Sequence, residues 1–184
     1  MAGNGLSAEG GGVSRRTMLA LALAAPAFPA FAQEEPGEVT VAGRRLVLNG
    51  TGRRRFLGFE VVRGSLYLER RSNDADAILA SNGVKLLRLR YMVSVSRSRL
   101  VSNWEEGFRD GCGCEMPAAF RARLRDLPAG QVEDWLFLPD RTEIAYAGEP
   151  PASLGPRQGV PMLASFIGPD AASDGLRRGL LGLG

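Results

Sequence analysis

Two cysteines, Cys112 and Cys114, stand one residue apart and are the only thiols in the chain. With Met116 they offer three soft sulfur ligands of the kind that suits Cu(I). In an oxidising compartment the pair could instead form a local disulfide, although so short a separation strains disulfide geometry. Two loop thiols are the third possibility. The sequence contains no histidine. That absence excludes Ser-His-Asp and Cys-His catalysis, histidine metal sites and an imidazole proton shuttle. Acid–base chemistry is left to carboxylates, tyrosines, the cysteines, the single lysine Lys85, or water held by them. An enzymatic role therefore starts at a disadvantage, and nothing in the sequence asks for a cofactor.

The N-terminal segment has a chemistry of its own. Ser14-Arg15-Arg16-Thr17-Met18-Leu19 supplies a positive start, and an apolar run over residues 18–31 is broken only by Pro26 and Pro29. It closes on Ala30-Phe31-Ala32, with small residues where a signal peptidase must accommodate them. Residues 1–32 therefore read as a secretory signal cleaved between Ala32 and Gln33, which places the mature protein in the periplasm or outside the cell. The Arg pair resembles the twin-arginine export motif, and that route is favoured over the general secretory one. Export machinery is thus an expected partner. The run is too short and Ala-rich for a stable membrane anchor, which needs about 20 strongly apolar residues.

Removing 32 of 184 residues leaves 152, enough for one domain with one core. Two arginines and one glutamate go with the signal, so the net charge of +3 becomes +2. The basic residues are scattered arginines with no interleaved stacking aromatics, so no nucleic-acid partner is expected.

The elements follow from periodicity. Residues 33–38 read as a mobile acidic leader, and residues 39–184 as the domain. Val39-Thr40-Val41 and Leu46-Val47-Leu48 flank Ala42-Gly43-Arg44 as a hairpin, and Asn49-Gly50-Thr51-Gly52 reads as a flexible turn. Residues 56–68 suit one long strand bent at Gly58 or Gly64. A helix over 74–80 is capped by Ser72 or Asn73. In the strand over 84–96, Leu87, Leu89, Tyr91, Val93 and Val95 share one face, and Arg88, Arg90 and Ser94 the other. Residues 98–110 form an amphipathic helix with Leu100, Val101, Trp104 and Phe108 as its stripe and a Glu105–Arg109 pair on its surface. A second helix starts at Pro117. Strands at 135–138 and 144–146, a turn at 148–151 and helices near 162–166 and 176–181 complete an α+β domain.

This order, with particular strings, resembles the bacterial chalcone isomerase-like family. The strings are Leu46-Val47-Leu48-Asn49-Gly50-Thr51-Gly52-Arg53-Arg54, Ser65-Leu66-Tyr67-Leu68-Glu69, Arg88-Leu89-Arg90-Tyr91, Trp104-Glu105-Glu106-Gly107-Phe108, Phe166-Ile167-Gly168 and Leu180-Leu181-Gly182. The resemblance implies an open-faced β-sandwich: a large antiparallel sheet covered by a helical layer, with a ligand cleft between them. Plant members cyclise chalcones with an arginine and with Thr, Tyr and Asn that hold water and the ketone oxygen. The arginine is kept as Arg54. The other three positions fall on Val62, Leu100 and Gly107, none of which donates a side-chain hydrogen bond. Losing one preorganised donor typically costs about 10²–10³ in rate, so an isomerase acting on an enone becomes the alternative and not the main reading. What the resemblance leaves is a cleft of Arg54, Val62, Leu100 and Trp104: one cation in an apolar lining. It suits a small hydrophobic acid, such as a fatty acid or aromatic acid, held by the guanidinium. The third reading is a structural or assembly partner in the cell envelope, its cleft filled by side chains.

Overall fold

The computed structural model describes residues 35–147 and 149–184. The signal over 1–32, residues 33–34 of the leader and Gly148 of the expected turn lie outside the described residues. Seven strands form one antiparallel sheet whose spatial order is the sequence order. They are β1 (Glu38–Val41), β2 (Arg44–Phe56), β3 (Phe59–Leu68), β4 (Lys85–Tyr91), β5 (Val132–Phe137), β6 (Thr142–Tyr146) and β7 (Ala152–Leu154). The helices are α1 (Ala75–Ala80), α2 (Arg97–Cys112), α3 (Ala118–Arg123), α4 (Pro156–Ile167) and α5 (Asp174–Leu180). All five contribute buried residues to one core against the same face of the sheet. The result is an α+β open-faced sandwich.

The opposite face carries a smaller cluster of Leu46, Tyr67, Val84 and Leu86, and beside it a charged network. Arg88 binds Asp134 through two hydrogen bonds of 2.8 Å each. Glu35 lies 3.8 Å from Arg88 and 3.4 Å from Arg90 and accepts from the Tyr67 hydroxyl. The Leu48 amide also donates to the Gly37 carbonyl, so residues 35–38 of the leader are held against the sheet.

Several expectations need correction. Residues 49–52 are not a turn: β2 runs through them with a bulge at Asn49. Residues 56–68 are not one bent strand, because Leu57 (φ 49°) and Gly58 (φ 84°) close a two-residue hairpin between β2 and β3. A left-handed leucine costs about 1–2 kcal/mol relative to ordinary backbone. Asp74, not Ser72 or Asn73, caps α1 by accepting from the Ala77 amide. β4 stops at Tyr91, seven residues long. Glu105 pairs with Arg121 of α3, and Arg109 with Asp110, in place of the intrahelical pair. The strand β7 was not anticipated.

The glycines of β2 explain why a stretch so rich in turn residues is a strand. Helix α5 lies directly on it, backbone against backbone. A Cβ on Gly50 would sit 2.9 Å from the Gly182 nitrogen, and one on Gly52 would sit 2.7 Å from Leu176 Cα. From the helix side, a Cβ on Gly175 would lie 2.6 Å from the Arg53 carbonyl and one on Gly179 2.8 Å from the Gly52 nitrogen. Asn49 fixes the far end by donating to the Leu180 carbonyl at 2.7 Å. Overpacking a seam made of backbone cannot be relieved by rotamer changes. Gly52→Ala and Gly179→Ala should each destabilise the protein by about 1–3 kcal/mol in urea unfolding. Gly37→Ala, with open space around it, should fall within about 0.5 kcal/mol of the parent.

Candidate functional site

Strand register brings two of the four expected residues, Arg54 and Val62, side by side. Arg54 on β2 is directly opposite Val62 on β3, which is opposite Tyr91 on β4. Gly52 and Gly64 form the paired positions two residues along, and both face the helices, so Arg54, Val62 and Tyr91 form a row on the helix-covered face. With strands about 4.8 Å apart, the row spans about 10 Å from Arg54 to Tyr91. Arg54 is exposed and makes no ion pair among the described residues, Val62 is half-buried against the core, and Tyr91 is buried. Leu100 and Trp104 project from α2 into the same core. The Trp104 ring centroid lies 4.9 Å from that of Trp135 and 5.9 Å from that of Phe120. These two residues are therefore packed helix-to-sheet contacts.

Gly107, where the resemblance implies an asparagine, is a helix contact. A Cβ there would meet the Met162 methyl of α4 at 3.2 Å. Cys114 is disulfide-bonded and Met116 is buried in the core, so the sulfur set considered for Cu(I) is not assembled. The side chain of Cys112 is outside the described residues. Among the described residues no three His, Cys, Asp or Glu side chains are grouped to hold a metal.

The sequence reading missed a buried acid. Glu133 of β5 is fully buried on the helix-covered face, opposite Tyr146 of β6 and Leu89 of β4. The Tyr91 hydroxyl donates to Glu133 Oε2 at 2.6 Å. Glu133 Oε1, Tyr146 Oη and the indole nitrogens of Trp104 and Trp135 are buried without a hydrogen-bond partner among the described residues. The Trp135 indole N–H beside Glu133 favours its ionised form, as the Tyr91 hydroxyl does. Arg125 covers the Tyr146 ring at 4.8 Å and pairs with Glu149. The signal was present: Glu133, Trp135 and Phe137 alternate on one face, but a strand begun at Trp135 leaves the acid out.

Three donors and one acceptor thus lie buried in the apolar layer, each with capacity for a further hydrogen bond. Burial pushes the Glu133 carboxyl up to about 7, against the bond from Tyr91, and burial also raises both tyrosines. A carboxyl raised in the folded state costs nothing below its unfolded value of about 4.5. Its penalty grows as pH climbs from there toward 7 and is constant above. Lys85, the other buried ionisable group of note, lies away from this site. It lines a pocket of about 380 Å³ between β3, α1 and β4, and its Nζ donates to the Ser81 and Gly83 carbonyls at the end of α1. Burial lowers its pKa. We expect Glu133→Gln to be more stable relative to the parent at pH 8 than at pH 4.5, by about 2–4 kcal/mol in urea unfolding. A difference independent of pH would show that Glu133 is not held as described.

A sequence profile described as Chalcone isomerase-like matches residues 32–182. Comparison with curated protein sequences gave no match. Among solved structures, a fatty-acid binding protein of Arabidopsis thaliana aligns over 78% of this chain and 95% of its own, at 13% identity and a TM-score of 0.58. At that identity the likeness is one of fold.

Proposed function

The chain belongs to the chalcone isomerase-like family, and from that premise we propose that it binds a small amphiphilic acid without transforming it. The observation that carries this reading is the row headed by Arg54. An exposed guanidinium without an ion pair stands at one end, Val62 follows, and Tyr91 leads to the buried polar atoms around Glu133. Such a row offers an anionic head a charge-assisted contact at the surface and an apolar body a course beneath α2. The solved structure of like fold is that of a fatty-acid binding protein, which supports the same ligand class. The isomerase alternative has little support, since Val62, Leu100 and Gly107 supply no donor. The assembly-partner reading is favoured by one feature, the close packing of Leu100 and Trp104 in the core.

Organic-solvent extraction of the natively purified protein, followed by mass spectrometry, should release an acidic amphiphile. Arg54→Ala should weaken dodecanoate binding about tenfold or more by calorimetry, as loss of a charge-assisted contact requires. An empty extract together with no binding of dodecanoate would overturn the ligand reading, and stable co-purification with envelope proteins would then favour the assembly role.

We propose further that the protein acts in the periplasm or outside the cell. Ser14 to Leu19 and Ala30-Phe31-Ala32 support this address. Twin-arginine cargo crosses folded, so the domain would leave the cytoplasm with its site already loaded. Replacing Arg15 and Arg16 together by lysine should leave the protein unexported in a fractionation assay. Normal export of that variant would assign it to the general secretory route.

A further inference from the structure

Most large apolar side chains of the described residues are buried, but three of the exposed ones surround a single turn. Phe56 is 62% exposed, Leu57 81% and Phe59 75%. They sit at the β2–β3 hairpin tip, which extends past the end of β4, whose pairing with β3 stops at Val62. Exposed Val93 follows Met92, whose amide bonds the Val61 carbonyl at the base of the tip. Leu57 is doubly unfavourable in isolation. It presents a leucine to water, and it holds a left-handed conformation better suited to Asn or Gly.

The charges behind the tip have one sign in excess. Arg53, Arg54, Arg55 and Arg63 surround it, and the single acid Glu60 is shared between Arg53 at 3.7 Å and Arg63 at 2.8 Å. Arg54 and Arg55 have no ion pair among the described residues. At about 3.3 Å per residue these arginines lie within roughly 10 Å of Phe56, the depth of a lipid headgroup layer behind side chains that reach the acyl boundary. An apolar point backed by four arginines and one acid carries an excess of positive charge that is complementary to an anionic bilayer surface. A protein partner would ask for a groove or a flat face, which a two-residue turn does not provide.

We propose that the β2–β3 hairpin tip is a peripheral membrane-docking point, with Phe56, Leu57 and Phe59 inserting between lipids and Arg54 and Arg55 meeting anionic headgroups. This goes beyond ligand binding and does not require it, although Arg54 would bring the head of the ligand row to the same lipid surface.

The test is co-sedimentation with vesicles of phosphatidylcholine alone or with 30% phosphatidylglycerol, at low and high salt. The protein used should begin at Gln33, because the apolar signal would itself partition; this chain keeps every described strand and helix and the whole core. Binding to the anionic vesicles, falling with salt, is expected. Leu57→Asn retains a residue suited to the left-handed turn, so it should fold normally and bind dodecanoate like the parent while losing about tenfold or more in vesicle binding. Arg55→Gln should reduce the preference for anionic over neutral vesicles severalfold. Undiminished vesicle binding by Leu57→Asn, or no binding by the parent, would overturn the proposal. So would a dimer in sedimentation velocity that Leu57→Asn abolishes without any vesicle binding, which would assign the tip to a second copy. Dodecanoate binding in solution reports on the ligand site separately, so failure of one reading is not failure of the other.

Discussion

The contact on which the rest of the structure depends is the one in which α5 rests on bare backbone. A helix normally meets a sheet through side chains. Here Gly50 and Gly52 on β2 and Gly175 and Gly179 on α5 remove them, and the two backbones close to van der Waals contact. Because the glycines occur in a strand where residue order is fixed, the helix can be seated in only one register. It covers β2 from Asn49 to Arg53 and stops there. Whatever follows on β2 is left past the edge of the helical layer, and that is why Arg54 is exposed and the β2–β3 turn stands clear.

Beneath α2 the packing is of another kind. Trp104, Trp135, Phe120 and Phe108 meet as tilted or edge-on rings, contacts that tolerate small rearrangements. Met162 fills the space left by Gly107, and methionine adapts readily. Glu133 is placed among these rings, a buried polar group with spare hydrogen-bonding capacity in an otherwise apolar layer. The sheet is thus held to its helices in two ways, by backbone contact at α5 and by interlocking side chains at α2.

Much of this was legible in the residues. Alternation in Leu87, Leu89 and Tyr91 marks the core face of β4, and the spacing of Leu100, Trp104 and Phe108 marks the buried face of α2. The α+β class and the open-faced sandwich follow from those patterns and the family resemblance. The illegible parts have physical causes. Gly50 and Gly52 look like turn residues because local sequence does not reveal a helix from more than 120 residues later. Leu57-Gly58 was hidden because leucine is an unusual choice for a left-handed turn position. Glu133 was overlooked because an acid next to Asp134 reads as surface, so the strand was begun at Trp135; carrying the alternation of Trp135 and Phe137 back by two residues puts Glu133 on the inward face.

The strand order carries a consequence for how the molecule treats its own kind. Among the described residues, a sheet that runs β1 to β7 without closing has two free edges, each a row of backbone groups able to recruit another strand. β1 has four residues and follows Pro36; β7 has three, set between Pro151 and Pro156. Brevity and proline leave little ladder for a neighbouring chain to extend. The open sheet is thereby blunted against growth by strand addition at both ends, and the three most exposed large apolar side chains among the described residues sit on a hairpin tip too narrow to template another sheet.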